Sequence, residues 1–177
     1  MKAVGLSGID AGLVTAAKRS ATPVDYGFVG DIESVDVSVL RELLEEGCLP
    51  IISPLCADAS GQVLNVNADS FASALAVALG ATKLILVTGV RGVLKDVEDP
   101  NSLISVLDMP SLEALSKSGS MKDGMLPKAS AIKGALSGGV KRIHVVSYRY
   151  PDSILTEIFT NEGCGTMIVN DIAEAHG

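Results

Sequence analysis

Lys83-Leu84-Ile85-Leu86-Val87-Thr88-Gly89-Val90-Arg91-Gly92-Val93-Leu94 decides the reading of this chain. Six residues rich in β-branched and aliphatic side chains run into a glycine turn, the pattern of a buried strand ending at a ligand-facing edge. Before it, Ala68, Phe71, Ala72, Leu75, Ala76 and Leu79 repeat at helical spacing, and Gly80 ends the run. After it come a polar loop from Asp96 to Ser102, a short helix from Ser111 to Ser118 and a polar stretch from Gly119 to Gly124. A further helix is expected to open with Pro127 in its first position and to carry Ile132, Ala135 and Leu136 to Gly138. Arg142 to Ser147 and Thr166 to Val169 read as strands. Between them a helix starts at Pro151, with Ile154, Leu155, Ile158 and Phe159 expected to face inward.

Upstream, Ala3 to Leu6 reads as a strand, and Leu13 to Lys18 with Tyr26 to Ser34 as a hairpin-like region. Asp36 is placed to cap a helix carrying Val37, Leu40, Leu43 and Leu44, and Gly47 stops it. Leu49 to Ser53 reads as a short buried strand, and the turn Ala57-Asp58-Ala59-Ser60-Gly61 leads into Gln62 to Val66. Strands and helices alternate from residue 36 onward. The expected fold is α/β, a three-layer αβα sandwich with a mostly parallel central sheet. The expected organisation is a single domain over 1–177, with a hairpin-rich region near 11–35 and a nucleotide-binding part near 65–177.

Composition narrows the function. The chain has 177 residues, 47% of them hydrophobic but only 3% aromatic, so its core must be built from Ala, Val, Leu and Ile. The 18 glycines suit many tight strand–helix connections. A net charge of −7 argues against nucleic-acid or membrane partners, which recruit basic patches. Any bound phosphate must be held locally, by backbone N–H groups and a few placed lysines. Cys48, Cys56 and Cys164 are odd in number and lack CxxC spacing, which suits a reducing, cytoplasmic setting better than disulfides or zinc. No stretch has the length and apolarity of a membrane span or signal peptide.

Familiar nucleotide signatures are absent: no GxxxxGK[ST] occurs, and no GxGxxG follows a strand. With only His144 and His176, a histidine-based triad is a poor reading, and His144 inside a strand reads as a satisfied core residue. Three segments remain. Asn65-Val66-Asn67-Ala68-Asp69 offers two amides and a carboxylate before a helix, although turn, cap and first-turn preferences explain each alone. Thr88 to Gly92 is a turn that could present backbone donors to a phosphate or base. Gly124-Met125-Leu126-Pro127-Lys128 places a lysine at a helix N-terminus, where the macrodipole disfavours a cation. A solvated surface lysine is the ordinary account. The functional one has lysine and helix terminus facing the same phosphoryl group.

These segments in this order, with Gly5-Leu6-Ser7-Gly8, Gly27-Phe28-Val29-Gly30, Ala78-Leu79-Gly80-Ala81 and Asn161-Glu162-Gly163-Cys164-Gly165-Thr166-Met167-Ile168, resemble the amino acid kinase family. The resemblance runs from Ala3 to Val169 and is strongest to the members that phosphorylate N-acetylglutamate. It implies ATP-dependent phosphorylation of the γ-carboxylate of N-acetyl-L-glutamate in arginine biosynthesis, with ATP arriving as its Mg²⁺ complex. It implies that Asp69 orients catalytic lysines, that Lys128 stabilises the transferring phosphoryl group, and that Asn65 and Asn67 lie in the substrate pocket. Thr88, Gly89, Val90, Arg91, Gly92, Val93, Leu94, Ser120, Met121, Lys122, Gly124 and Met125 match nucleotide-contacting stretches. A homo-oligomer is also implied.

The chain departs from the family at three places. It starts where the family's amino-terminal lobe is ending, a lobe that carries another lysine, a glycine-rich loop and a substrate arginine. The expectation is therefore a chain inactive alone. Gly89 stands where Asp is usual. Ser147-Tyr148-Arg149 replaces a common Asp-Gly-Arg, and Asp152 a frequent His, although the Glu162 to Thr166 loop resembles an arginine-binding loop. Two alternatives accompany the kinase reading: a non-catalytic nucleotide-binding or oligomerisation module derived from the kinase, and a kinase for a related amino acid such as an aminoadipate derivative.

Overall fold

A computed structural model describes residues 1–96, 98–99, 101–117 and 125–173. The chain divides into two compact units, Met1–Leu79 and Gly80–Gly177.

In the first unit, β1 (Lys2–Ser7) runs parallel to β4 (Cys48–Ser53), from Lys2 opposite Cys48 to Ser7 opposite Ser53. A second sheet has the order β3-β2-β5-β6, built from β2 (Val14–Lys18), β3 (Gly30–Val35), β5 (Leu55–Ala57) and β6 (Val63–Asn65). β2 and β3 pair antiparallel, as the hairpin-like reading required, with a register shift between Thr15 and Ala16. β5 and β6 form a tight hairpin whose turn is organised by Asp58: its Oδ1 accepts from the Ser60 and Gln62 N–H groups at 2.8 and 3.0 Å.

α1 (Ser38–Glu45) begins two residues after Asp36, whose carboxylate accepts the Ser38 N–H at 2.9 Å. α2 (Ala68–Leu79) ends in carbonyls that α1 satisfies: Arg41 Nη2 donates to Ala78 O and Leu79 O at 3.1 and 3.2 Å. Leu13, Val14, Leu40, Leu64, Phe71 and Leu75 are the centre of this unit's core. β4, read as buried, instead alternates, with Leu49, Ile51 and Ser53 exposed. α1 packs against β4. An apolar run reports strand character but not how many of its faces are covered.

In the second unit the sheet order is β7-β9-β10-β8, from β7 (Lys83–Thr88), β8 (Val106–Asp108), β9 (Arg142–Ser147) and β10 (Thr166–Val169). β7 is parallel to β9, and β8 to β10, while β9 and β10 are antiparallel. Across both units, β1–β4 and β2–β5 are parallel as well, so the chain is α/β with parallel-rich sheets. β7, whose sequence is the most continuously apolar, lies at a sheet edge with only Leu86 fully buried. The interior strands are β9 and β10, and β9 is buried from Ile143 to Ser147.

The helices of this unit are α3 (Met109–Lys117), α4 (Met125–Ser137) and α5 (Ser153–Phe159). α4 begins two residues before Pro127, which is therefore its third residue and not its first. Proline is tolerated there because N–H groups of a first helical turn have no intrahelical acceptor to lose. Ile132, Ala135 and Leu136 are buried as expected.

α5 overturns its reading. Ile154, Leu155 and Phe159 are exposed, Ile158 is half-buried, and the buried residues are Ser153 and Glu157. The carboxylate of Glu157 explains the rotation. Oε1 lies 2.8 Å from His144 Nδ1 on β9, and Oε2 accepts the N–H groups of Cys164 and Gly165, each at 2.8 Å. Three hydrogen bonds to a charged acceptor outweigh burial of aliphatic side chains on a helix of seven residues.

Candidate functional site

The β6–α2 junction carries the first group of expected residues. Period-two alternation sends Leu64 and Val66 into the core and leaves Asn65 and Asn67 exposed. The Asn65 N–H donates to Phe28 O at 2.8 Å, so that asparagine sits on backbone held in place by the Gly27–Gly30 segment. Asn67 caps α2: its Oδ1 accepts the Ser70 N–H at 3.1 Å and the Ser70 hydroxyl at 3.3 Å. Asp69 is the second residue of α2, half-buried, where a carboxylate complements the helix dipole. The three polar side chains thus emerge within one strand end and one helical turn.

The turn after β7 splits into two parts. Gly92 and Val93 are buried and anchored to β10. The Val93 N–H donates to Thr166 Oγ1 at 2.8 Å, and that hydroxyl donates to Ile104 O at 2.7 Å. A Cβ at Gly92 would lie 2.5 Å from Thr166 Oγ1, so the close approach requires glycine. Leu94 bridges Leu103 and is half-buried. The accessible part is Thr88 to Arg91, with Val90 and Arg91 exposed and the Arg91 guanidinium 5.7 Å from the Tyr150 ring centroid.

Lys128 is the fourth residue of α4 and only 8% exposed, which excludes the solvated-lysine account. It lies one turn before the fully buried Ile132, on the same helical face. As the fourth residue of α4 it sits in the helix's first turn, near the positive end of the dipole. Met125 opens α4 and is half-buried. Ser120, Met121, Lys122 and Gly124 lie outside the described residues.

Sequence reasoning missed Glu157. The side chains of Glu157 and His144 are 5% and 6% exposed. Burial pushes the Glu157 carboxyl up, but hydrogen bonds from His144, Cys164 and Gly165 outweigh it and hold the group below its ordinary value. Among the described residues the buried Nε2 of His144 has no hydrogen-bond partner. The pair lines a polar cleft of about 260 Å³ with Lys83, Arg142 and the 160–163 loop. The available signal was a lone acid interrupting the aliphatic series Ile154-Leu155-Ile158-Phe159. A second cleft, of about 290 Å³, lies between α3 and α4 and is lined by Leu112, Leu126, Ala129 and Lys133. Neither cleft is lined by the Thr88–Leu94 turn.

Comparison with known proteins gives these placements a common frame. Residues 1–147 match the model of the amino acid kinase family. The chain is 48% identical to acetylglutamate kinase of Myxococcus xanthus, over 97% of this chain and 59% of the relative. It is 46% identical to acetylglutamate kinase of a Synechocystis species, over 95% of this chain and 56% of the relative. The chain therefore spans about 60% of the length of the curated relatives it matches. Among solved structures, N-acetylglutamate synthase of Neisseria gonorrhoeae, complexed with coenzyme A and N-acetyl-glutamate, superposes with a TM-score of 0.85 at 25% identity. That match covers 96% of this chain and 38% of the other. A carbamate kinase of Giardia superposes at 0.69 with 18% identity over 97% of this chain and 63% of that one, a likeness of fold. On the match over residues 1–147, the chain belongs to the amino acid kinase family.

Proposed function

We propose that this chain forms the part of an acetylglutamate kinase that holds the nucleotide and steadies the phosphoryl group in transit. The reaction is attack of a γ-carboxylate oxygen of N-acetyl-L-glutamate on the γ-phosphorus of ATP, with ADP leaving and an acyl phosphate formed. The observation that carries this reading is Lys128, a buried lysine on the inward face of a helix's first turn. A lysine at that place can meet the charge that a phosphoryl group in transit spreads over its oxygens, and the first turn of the helix adds its positive end. Relatives named acetylglutamate kinase, 42–48% identical over nearly the whole chain, support the same reading.

Asp69 acts as the carboxylate that orients lysine ammonium groups, Asn65 and Asn67 as substrate amides, and Thr88 to Arg91 as the accessible nucleotide edge. Gly92 to Leu94 hold that edge to β10. Ser120, Met121, Lys122, Gly124 and Met125 are assigned the remaining nucleotide contacts. Mg²⁺ would come with the nucleotide and supply charge neutralisation on its phosphates. Among the described residues no three His, Cys, Asp or Glu come together as a group that could hold a metal ion. The complete enzyme would work as a cytoplasmic homo-oligomer. No described helix is long and apolar enough to cross a membrane.

The test has two arms. Calorimetry of the 177-residue chain with ADP–Mg²⁺ should show saturable binding. Joining the chain to the portion of the Myxococcus relative that it does not match should give acyl phosphate, trapped as the hydroxamate. A folded joined protein without hydroxamate formation refutes the kinase reading, and a chain silent in calorimetry refutes the nucleotide role.

A further inference from the structure

β7 and β9 end together. Thr88 pairs with Ser147, and the Tyr148 N–H donates to Thr88 O at 3.0 Å, extending the parallel ladder by one residue. This fixes the backbone of Tyr148 beside Gly89 at the carboxyl edge of the sheet. Its phenol lies over that glycine: a Cβ at position 89 would be 3.0 Å from the hydroxyl oxygen, 3.4 Å from Cζ and 3.5 Å from Cε1. The ring occupies the space that a side chain at 89 would use. Yet Tyr148 is 65% exposed, so a large aromatic face and a hydroxyl remain open at the mouth of the turn. Val90 and Arg91 are exposed beside it, and the Arg91 guanidinium sits over Tyr150.

From this juxtaposition we infer that Tyr148 is a specificity-determining residue of the nucleotide site, offering its ring for stacking and its hydroxyl for hydrogen bonding to the nucleoside. The inference rests on the nucleotide role proposed above for the Thr88–Arg91 edge. The physical basis is general. An exposed tyrosine face stacks on a purine because every base has a π-face, and a phenol both donates and accepts. Gly89 contributes no side chain to this edge, and the three nearest atoms to a Cβ built there all belong to the tyrosine, its hydroxyl first. A backbone-only turn would hold any nucleoside alike, whereas a fixed hydroxyl discriminates between nucleosides by what they present to it.

The test uses the 177-residue chain and its variants Y148F, Y148A, Y26F and G89D, each checked for folding by far-UV circular dichroism. ADP–Mg²⁺ and GDP–Mg²⁺ are titrated by calorimetry. Y148F should bind ADP roughly three- to tenfold more weakly, the worth of one net hydrogen bond. Y148A should lose roughly tenfold or more, because stacking goes as well. The ratio of ADP to GDP affinity should change in Y148F, which a merely structural tyrosine would not produce. The chain has three tyrosines and no tryptophan, so nucleotide should quench tyrosine emission in the wild type and in Y26F but less in Y148F. G89D should weaken binding, and Y148G added to G89D should relieve the steric part of that loss. Wild-type binding with Y148F and Y148A within twofold of it overturns the assignment of Tyr148 alone. No binding by the folded wild type overturns the nucleotide edge and this inference with it.

Discussion

Replacing Glu157 by alanine tests whether polar bonds, not aliphatic packing, orient α5. The carboxylate accepts from Cys164 N, Gly165 N and His144 Nδ1, each at 2.8 Å, and its side chain is 5% exposed. Alanine leaves two backbone donors and one imidazole nitrogen without that acceptor. Removing one partner of a buried pair costs about 3–5 kcal/mol, and E157A should lose that much. E157Q should lose about 2 kcal/mol. Its amide oxygen can still accept both backbone N–H groups, but the bonds lose their charge assistance. Its NH₂ would also force the His144 proton onto Nε2, which has no partner among the described residues. The pH dependence has a definite sign. The folded carboxyl lies below its ordinary value of 4.5, so its stabilisation is full above about 4.5 and is lost as pH falls through the folded value. The gap between wild type and E157Q should therefore be widest near neutrality and shrink on acidification below pH 4.5. Urea titrations at pH 7 and at acid pH, followed by circular dichroism and by emission of Tyr148 and Tyr150, measure both quantities. An E157A variant within about 0.5 kcal/mol of wild type, or a gap indifferent to pH, refutes the argument.

Gly165→Ala should prevent the second unit from folding or cost more than about 3 kcal/mol, because its Cβ would lie 2.2 Å from Val145 O on β9; thermal melts read this directly. Gly134→Ala, in the exposed middle of α4 with nothing within 4 Å of the new methyl, should instead stabilise by about 0.5–1 kcal/mol in the same assay. Asn67→Ala removes the α2 cap and should cost about 1 kcal/mol by urea denaturation. Lys128→Met keeps the buried stem and deletes the charge. In the joined kinase it should cut hydroxamate formation by about 10²–10³-fold, and unimpaired turnover would remove Lys128 from the proposed machinery.

What was legible in the sequence was set by local chemistry. β7, β9 and β10 fall on the residues expected, because short β-rich runs are bounded by glycine or polar turns on each side. Asn67 caps α2 because an asparagine before an apolar periodic run has a local donor to accept from. What was not legible depends on neighbours distant in sequence. The apolarity of β7 and β4 did not reveal that one is a sheet edge and the other is exposed at alternate residues. In α5 the pattern named the wrong face, since the decisive partners, His144 and the Cys164–Gly165 amides, arrive from other elements.

The same limit bears on the site. Read along the chain, Gly89 and Ser147-Tyr148-Arg149 are separate departures from the family pattern, each seeming to subtract from the nucleotide edge. In space they are one feature, because the phenol of Tyr148 stands where a side chain at 89 would be. Loss of a side chain on one strand end and gain of a ring on its paired neighbour leave the edge polar and occupied, so these substitutions alone do not argue for a defunct site. Any substitution at either position must be judged with the other. An acidic residue restored at 89 meets the phenol oxygen at 3.0 Å from its Cβ, and smaller residues at 148 leave the backbone-only turn uncovered. The two positions should therefore show non-additive effects on nucleotide affinity.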